Sequence, residues 1–344
     1  MANQSLSIII PNYNGERTVG ACLDAIIAYR DDACEIVVVD DCSHDGSLDV
    51  IGKYPCKLIR LTKHSGASAA RNAGASGSTG EVLFFIDNDC IVTDTTIPRV
   101  RKNLSKQPSD VVVGGTYTPV PYDPRFFSAF QSAFINYFET KSGNDPDYLA
   151  THALVVGAEA FKQLGGFKEE FLPILEDVEF SHRLRRNGFR LIMDPDLQVR
   201  HIFHHSFARS LRNAVKKTRY WTEYSLANGD LFADSGTASR EIKVNGVTWL
   251  VTVSLLLASL ASGQRSLLVP LPFLWTGSLF MNRHLFRAFL KAGGAWFAVM
   301  AGSYYSLIYP AAVWTGFFMG IYQHVRKRLK RKKHCTHHSD TYLT

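Results

Sequence analysis

Four short β-rich apolar runs near the start of the chain limit most strongly what it can fold into: LSIIIP at 6–11, EIVVVD at 35–40, KLIRL at 57–61 and EVLFFID at 81–87. They alternate with segments of helical pattern, which predicts an α/β fold built on a parallel sheet. Between the first two runs, Val19, Leu23, Ile26 and Ile27 recur at helical spacing while Asp24 and Arg30 fall outside the stripe, as expected of a helix covering a sheet face. The segment SGASAARNAGA at 65–75 is rich in small residues, so a helix there can lie close to the sheet and carry its polar residues to the strand ends. A later helix is expected from Asp177 to a stop at Gly188, after Arg185 and Arg186. From 120 to 147 the pattern loosens into Pro, Tyr, Phe and Asp and reads as loops and short helices over a site.

The second half has a different solvent in view. Charged residues are scattered up to Glu241 and then become rare as far as Tyr322, with charge-free stretches at 245–263, 266–281 and 295–322. The last is long enough to span a bilayer, the first is close to it, and the second, with Pro270 and Pro272, reads as re-entrant. Aromatic flanks and a basic stop, RKRLKRKK at 326–333, favour membrane over the buried helices of a second soluble domain. That tail also supplies much of the net charge of +7, so a nucleic-acid groove is not needed to explain it. Upstream, Phe207, Leu211, Val215, Trp221 and Leu226 share one helical stripe with Arg209, Arg212, Lys216, Lys217 and Arg219 elsewhere, the pattern of an interfacial helix. The N-terminus lacks the pattern of a signal peptide, and positive-inside logic puts the tail in the cytosol with the first domain, which requires an even number of crossings. Six cysteines show neither C-x-x-C pairing nor zinc spacing and read as reduced thiols.

Polar residues just after the apolar runs come next, because strands in such sheets end at a ligand crevice. EVLFFIDNDC places Asp87 and Asp89 two residues apart behind a buried strand, where carboxylates can hold a ribose and a divalent cation bridging a diphosphate. Asp40, Asp41 and Asp45 end another strand; a carboxylate there can accept the N–H of a base, and helix capping by Asp45 or Ser43 is the competing reading. Pro11, Asn12, Tyr13 and Asn14 follow the first strand, and the Tyr13 ring can stack on a base or simply pack. Asp177, at a helix start, suits either the macrodipole or catalysis. His201, His204 and His205 have no cysteine or carboxylate set beside them that would make a zinc site.

SIIIPNYNGERTVGACLDAI, VVVDDCSHDGS, ASAARNAG, VLFFIDND, GGFKEEF and LEDVEFSHRLRRNGF occur in this order, and over residues 5–205 the chain resembles the family 2 glycosyltransferases. The resemblance implies a GT-A-type, Rossmann-like α/β fold with a mixed, mostly parallel sheet flanked by helices, here followed by C-terminal transmembrane helices. Together with the apolar and basic runs read above, it gives expected domains at 1–205 (catalytic), 206–243 (interfacial helix and linker), 244–325 (two or three membrane segments) and 326–344 (basic cytosolic tail). It further implies a nucleotide-sugar donor held by Pro11, Tyr13, Asp41, Arg71, Asp87 and Glu176, a divalent cation, Mn²⁺ or Mg²⁺, at Asp89 and His201, and Asp177 as general base of an inverting transfer. The expected acceptor is a lipid-linked glycan at a multi-pass seat in the cytoplasmic membrane, with membrane lipid as a partner and no nucleic acid. A polyprenyl-phosphate acceptor and a catalytically silent sugar-nucleotide binder are the alternatives. The processive Q-x-x-R-W motif has no full counterpart in Lys216-Lys217-Thr218-Arg219-Tyr220-Trp221, and the D-x-D-L-Q-x-P continuation of polyprenyl-phosphate enzymes is replaced by Asp-Asn-Asp-Cys-Ile-Val. A nucleotidyltransferase would need a Gly-rich basic loop where PNYNGER offers only Gly15 and Arg17.

Overall fold

The structure, a computed structural model, describes residues 4–108, 110–143, 145–169, 174–231, 234–236 and 238–339, and leaves the side chains of Lys106 and 331–339 undescribed. Glu170 and Phe171 of the GGFKEEF motif and the side chains of Cys335 and the tail histidines therefore lie outside the described residues. The chain divides into two compact units, Met1–His205 with Ser235–Thr237, and Ser206–Asp234 with Ala238–Thr344.

In the first unit the order is β1 (Leu6–Asn12), α1 (Val19–Tyr29), β2 (Cys34–Asp40), α2 (Ser47–Ile51), β3 (Lys57–Arg60), α3 (Ala67–Gly77), β4 (Val82–Phe85), β5 (Cys90–Val92), α4 (Thr96–Lys106), β6 (Val111–Tyr117), α5 (Phe126–Thr140), β7 (Leu154–Gly157), α6 (Ala158–Gln163), α7 (Glu176–Arg186) and β8 (Arg190–His201). The four apolar runs are β1 to β4, and the expected helices over 19–30 and 177–188 are α1 and α7. α1 buries Val19, Cys22, Leu23 and Ile26, the face its periodicity defines.

The strands form one eight-stranded sheet ordered β3-β2-β1-β4-β7-β6-β8-β5. Four neighbouring pairs are parallel and three, β4/β7, β6/β7 and β5/β8, are antiparallel, so the purely parallel sheet suggested by the alternation alone is corrected to a mixed one. β1 lies between β2 and β4, so successive crossovers leave it in opposite directions, which opens a crevice at the strand ends between β1 and β4. Burial on both faces explains why β1, β2 and β4 read as continuous apolar runs. Ile9, Val37, Val39, Leu83 and Phe85 pack with Phe161, Phe167 and Phe180 into the main core on one face. The stretch 120–147, expected as loops and short helices, contains the fifteen-residue α5, which buries Phe130, Phe134 and Phe138 at four-residue spacing.

The second unit contains α8 (Phe207–Asn228), α9 (Arg240–Ser262), α10 (Leu271–Met281), α11 (Arg283–Ser303) and α12 (Tyr309–Ser339). α8 leaves most of the apolar stripe expected to meet a membrane interface at least partly uncovered by protein. Only Trp221 of that stripe is buried, and the packed face is Ser210, Ala214, Thr222 and Ser225. α12 meets that face through Gly316 and Gly320, where an added Cβ would stand 2.6 Å from the carbonyl oxygens of Val215 and Arg219. The two backbones approach so closely only because small residues line the contact.

Among the described residues one helix, α9, is long and apolar enough to cross a membrane, with mean hydropathy 1.8 over a window that is 22% buried. The other expected membrane segments are divided by the fold. Residues 266–281 form most of a 3₁₀ turn (Arg265–Leu268) and the eleven-residue α10. Residues 295–322 are shared between the end of α11, a π-helical turn (Tyr304–Ile308) and the start of α12.

Candidate active site

Strand register brings the first polar groups together. Asn12 stands beside Asp40 in the β1/β2 ladder, and Ile9 beside Phe85 in the β1/β4 ladder, so the residues after all three strands converge at one end of the sheet. Asn12 then acts as a joint: its Nδ2 donates to Asp40 Oδ1 at 3.0 Å and its Oδ1 accepts from Asn88 Nδ2 at 2.7 Å. With Asn88 turned onto Asn12, the flanking Asp87 and Asp89 are left to line a cavity of about 660 Å³. Pro11, Tyr13, Asp41, Arg71, Asp87, Asp89 and Glu176 all line it, together with His64 and Glu169.

Arg71 ties the cleft across the sequence. It is 4% exposed, and its two terminal nitrogens donate to Asp87 Oδ1 at 2.6 Å and Glu176 Oε1 at 2.7 Å. Burial works against its charge, but the two carboxylates outweigh burial and hold it protonated. Burial likewise raises Asp87, and the Arg71 guanidinium more than reverses this, keeping that carboxyl below the usual range. Arg71 does not reach Asp89: burial first, then the Asp87 charge, push it up to about 7.

β5 runs antiparallel to β8 with Cys90 opposite His201, and Ile202 N–H donates to the Asp89 carbonyl at 2.8 Å. This register places His201 Nε2 3.3 Å from Asp89 Oδ1. Donor atoms of Asp89, Cys90 and His201 fall within 4.8 Å of one another. Burial and the neighbouring carboxylates raise the Cys90 thiol well above its ordinary value in the metal-free site, so it stays protonated there. A carboxylate on the open cleft with an imidazole behind it fits a hard divalent cation that completes its shell with oxygens of a bound molecule. The His201 ring is held by stacking on Phe203 (centroids 3.9 Å apart) and by the edge contact of Tyr117 at 4.9 Å. Behind Tyr117 lies His152, stacked at 3.9 Å and 3.4 Å from Glu139, itself anchored by the Thr116 hydroxyl at 2.7 Å. Sequence reading missed this buried support, because its parts are spread over 116–152 with no motif to mark them.

At the other end of the cleft, Asp41 accepts from the backbone N–H groups of Ser65 and Gly66, each at 2.7 Å, and pairs with His64 Nδ1 at 2.9 Å. Gly66 has φ +91°, a conformation open to glycine, and it caps α3, whose first residues Ala67 and Ser68 line the cavity. The Tyr13 ring stacks on His64 with centroids 4.0 Å apart. His64 is a second residue the sequence reading missed; nothing in KHSG marks it. Asp45 accepts from the N–H groups of Glu16 and Ser47, while the N-cap of α2 is Gly46, with no side-chain cap from Asp45 or Ser43. Left-handed backbone at Asn14, Cys42 and Leu175 follows Tyr13, follows Asp41 and precedes Glu176 respectively, so strained positions flank three cleft residues.

Asp177 is half-buried in the first turn of α7, next to cleft-lining Glu176, and is not itself among the lining residues. His201 also stands behind the lining, reached through Asp89. His204 lies 3.9 Å from Asp123, and His205 Nδ1 lies 3.0 Å from the Phe203 carbonyl; neither belongs to the cluster at Asp89.

A mixed α/β sheet with acidic strand ends at its switch point has its ligand crevice where open α/β sheets bind their ligands. Residues 7–162 match the sequence profile described as Glycosyl transferase family 2, so the chain carries a domain of that family. It is 28% identical over 191 residues to an uncharacterized glycosyltransferase of Haemophilus influenzae, a match covering 52% of this chain and 61% of the relative. It is 26% identical over 199 residues to glycosyltransferase AglE of Haloferax volcanii, covering 56% of this chain and 65% of the relative. The chain thus spans less than two thirds of the curated relatives it matches. Its fold is shared with the mannosyltransferase PcManGT of Pyrobaculum calidifontis, solved in complex with GDP-Man and Mn²⁺, at TM-score 0.57 and 16% identity over 94% of this chain and 88% of that one.

Proposed function

We propose that this chain is an inverting glycosyltransferase that moves a sugar from a nucleoside-diphosphate sugar, UDP-linked by preference, to a hydroxyl of a membrane-associated acceptor such as a lipid-linked glycan. The observation that carries the reading is the Arg71 bridge from Asp87 to Glu176 beside the Asp89–His201 pair. It joins a donor-side carboxylate to the segment where an acceptor-side base belongs.

In this reading Tyr13 stacks on the base, Asp41 and its loop hold the base edge, and Asp87 binds the ribose. Asp89 and His201 would hold a divalent cation, which when bound would supply positive charge against the diphosphate. The N-terminus of α3 lines the same cavity and would favour the negative charge of a diphosphate bound there. The acceptor oxygen attacks the anomeric carbon from the face opposite the diphosphate, its proton passes to the Asp177 carboxylate, and the bond from sugar to diphosphate breaks. The domain match, the named activities of relatives and the GDP-Man and Mn²⁺ of PcManGT support this assignment. A seat on the cytoplasmic membrane, with the first unit on the cytosolic side, is supported by α9 and by exposed Leu260, Phe273 and Trp296 in the second unit.

The Asp177→Asn variant tests the reaction. It should lose transfer by about 10²-fold or more, the usual worth of a general base, while donor binding is kept. Undiminished turnover would remove Asp177 from the mechanism.

A further inference from the structure

The second unit is organised around Tyr305, which is fully buried. Its carbonyl accepts from Asn245 Nδ2 at 2.8 Å, near the start of α9, and its hydroxyl donates to Asn282 Oδ1 at 2.9 Å, just past the end of α10. The chain therefore leaves Tyr305 along α9 and returns to it along α10, which makes the two helices a hairpin with both ends at one level. α9 and α10 pack on each other, and the turn between them, with Gly263 at φ +71°, carries Gln264 and Arg265.

The hairpin is built to the scale of a bilayer. No charge occurs from 244 to 264 or from 266 to 282. At about 1.5 Å per helical residue the first stretch is about 30 Å long, and the second, part 3₁₀ and part α, is about 25 Å, against a hydrocarbon core of about 30 Å. Leu257, Leu260, Val269, Phe273 and Phe280 project from it exposed, so nothing in the described protein covers its apolar sides. Arg265 at the tip is placed to reach the far headgroups.

The third apolar run behaves differently although its sequence is as apolar. At Gly294 (φ +78°, ψ −175°) α11 breaks and doubles back, bringing Phe297 to 6.1 Å from Phe289 and Gly302 against Phe286. From Tyr304 onward the run lies along α8: Tyr304 donates to the Ser210 hydroxyl at 2.9 Å, Gly316 and Gly320 seat on Thr218 and Thr222, and Arg219 donates to Gln323 at 2.8 Å. α8 exposes Arg209, Arg212 and Lys216 along that length. A charged side chain at a bilayer centre is costly, so a helix locked to α8 does not cross.

We propose that the chain enters the bilayer only as the α9–α10 hairpin, crossing twice, and that the rest of the second unit is a basic surface platform on the near leaflet. Arg283, Arg287 and Lys291, at four-residue spacing on α11, and the basic end of α12 from Arg326 then face anionic lipid headgroups. Two crossings return α12 to the side from which α8 starts, which satisfies the charge rule that three crossings break.

The inference rests on the membrane reading above, and site-specific labelling separates the two. The full chain carrying Gln264→Cys, Trp296→Cys or Tyr322→Cys, all exposed positions, is placed in sealed vesicles whose outward-facing tail is confirmed by protease removal of a C-terminal tag. An impermeant maleimide is added outside or trapped inside, and the modified peptide is read by mass spectrometry. Position 264 should be labelled from inside only, and positions 296 and 322 never from inside. Labelling of 264 from outside, its protection from both sides, or labelling of 296 or 322 from inside overturns the hairpin while leaving membrane association intact. Failure of the protein to float with the vesicles overturns the membrane reading itself.

Discussion

Replacing Arg71 by Met removes the cation that two cleft carboxylates share while keeping much of the side-chain volume. Asp87 and Glu176 are 29% and 13% exposed, so both retain some water from the cleft and the loss falls at the lower end of the range for a broken buried pair, about 3 kcal/mol. For a unit of this size that is a fall in Tm of about 6–12 °C at pH 7, read by calorimetry or circular dichroism. Arg71→Lys keeps the charge but not the fork that reaches both partners, and should recover about half the loss. The pH dependence follows from the sign of the Asp87 shift. Its folded value lies below its unfolded value, so the pairing stabilises above the ordinary carboxylate range and that contribution is lost as pH falls through the depressed value. The gap between wild type and variant should therefore be full at pH 7 and shrink toward pH 4, where the orphaned carboxylates take up protons. A Met variant with wild-type Tm at pH 7, or a deficit that does not vary with pH, would refute the reasoning.

Asp89 predicts the opposite trend. Its value is raised to about 7, so its proton stabilises the metal-free protein at low pH and that stability is lost as pH rises through 7; a cation must displace the proton. Affinity for Mn²⁺, measured by calorimetry, should rise up to about tenfold per pH unit between 5 and 7 and then level off; a flat profile would contradict it. Gly320→Val drives a side chain against the Arg219 carbonyl of α8 and should destabilise the second unit by about 1–3 kcal/mol, seen as earlier unfolding or faster proteolysis of that unit with the first unit unchanged.

The first four strands, α1, α3 and α7 were legible because their local pattern and their burial agree: continuous apolar runs end in aspartates, and helices cover them. β8 was not, because RLIMDPDLQVRH carries Asp-Pro-Asp at its centre, where its pairing with β6 slips register. The contact of Asp89 with His201 depends on an antiparallel pairing across the sequence, and local periodicity does not encode such a partner. The resemblance, not the spacing, supplied His201. In α5 the stripe was present at Phe126, Phe130, Phe134 and Phe138, and the Pro and Asp residues around it obscured it. The second unit misled for a physical reason: the apolar content of a run sets what it can be buried in, whereas its direction is decided by single groups such as Gly294 and Tyr305.

Donor binding with and without cation measures the central claim most directly. Purified full-length protein is titrated with UDP-, GDP- and dTDP-sugars, each in Mn²⁺, in Mg²⁺ and in EDTA, alongside Asp89→Asn. One donor class should bind tightly only with a divalent cation, and Asp89→Asn should abolish the difference between metal and EDTA. Equal binding in EDTA, or no binding of any sugar nucleotide in metal, would contradict a cation held at Asp89 against a sugar diphosphate.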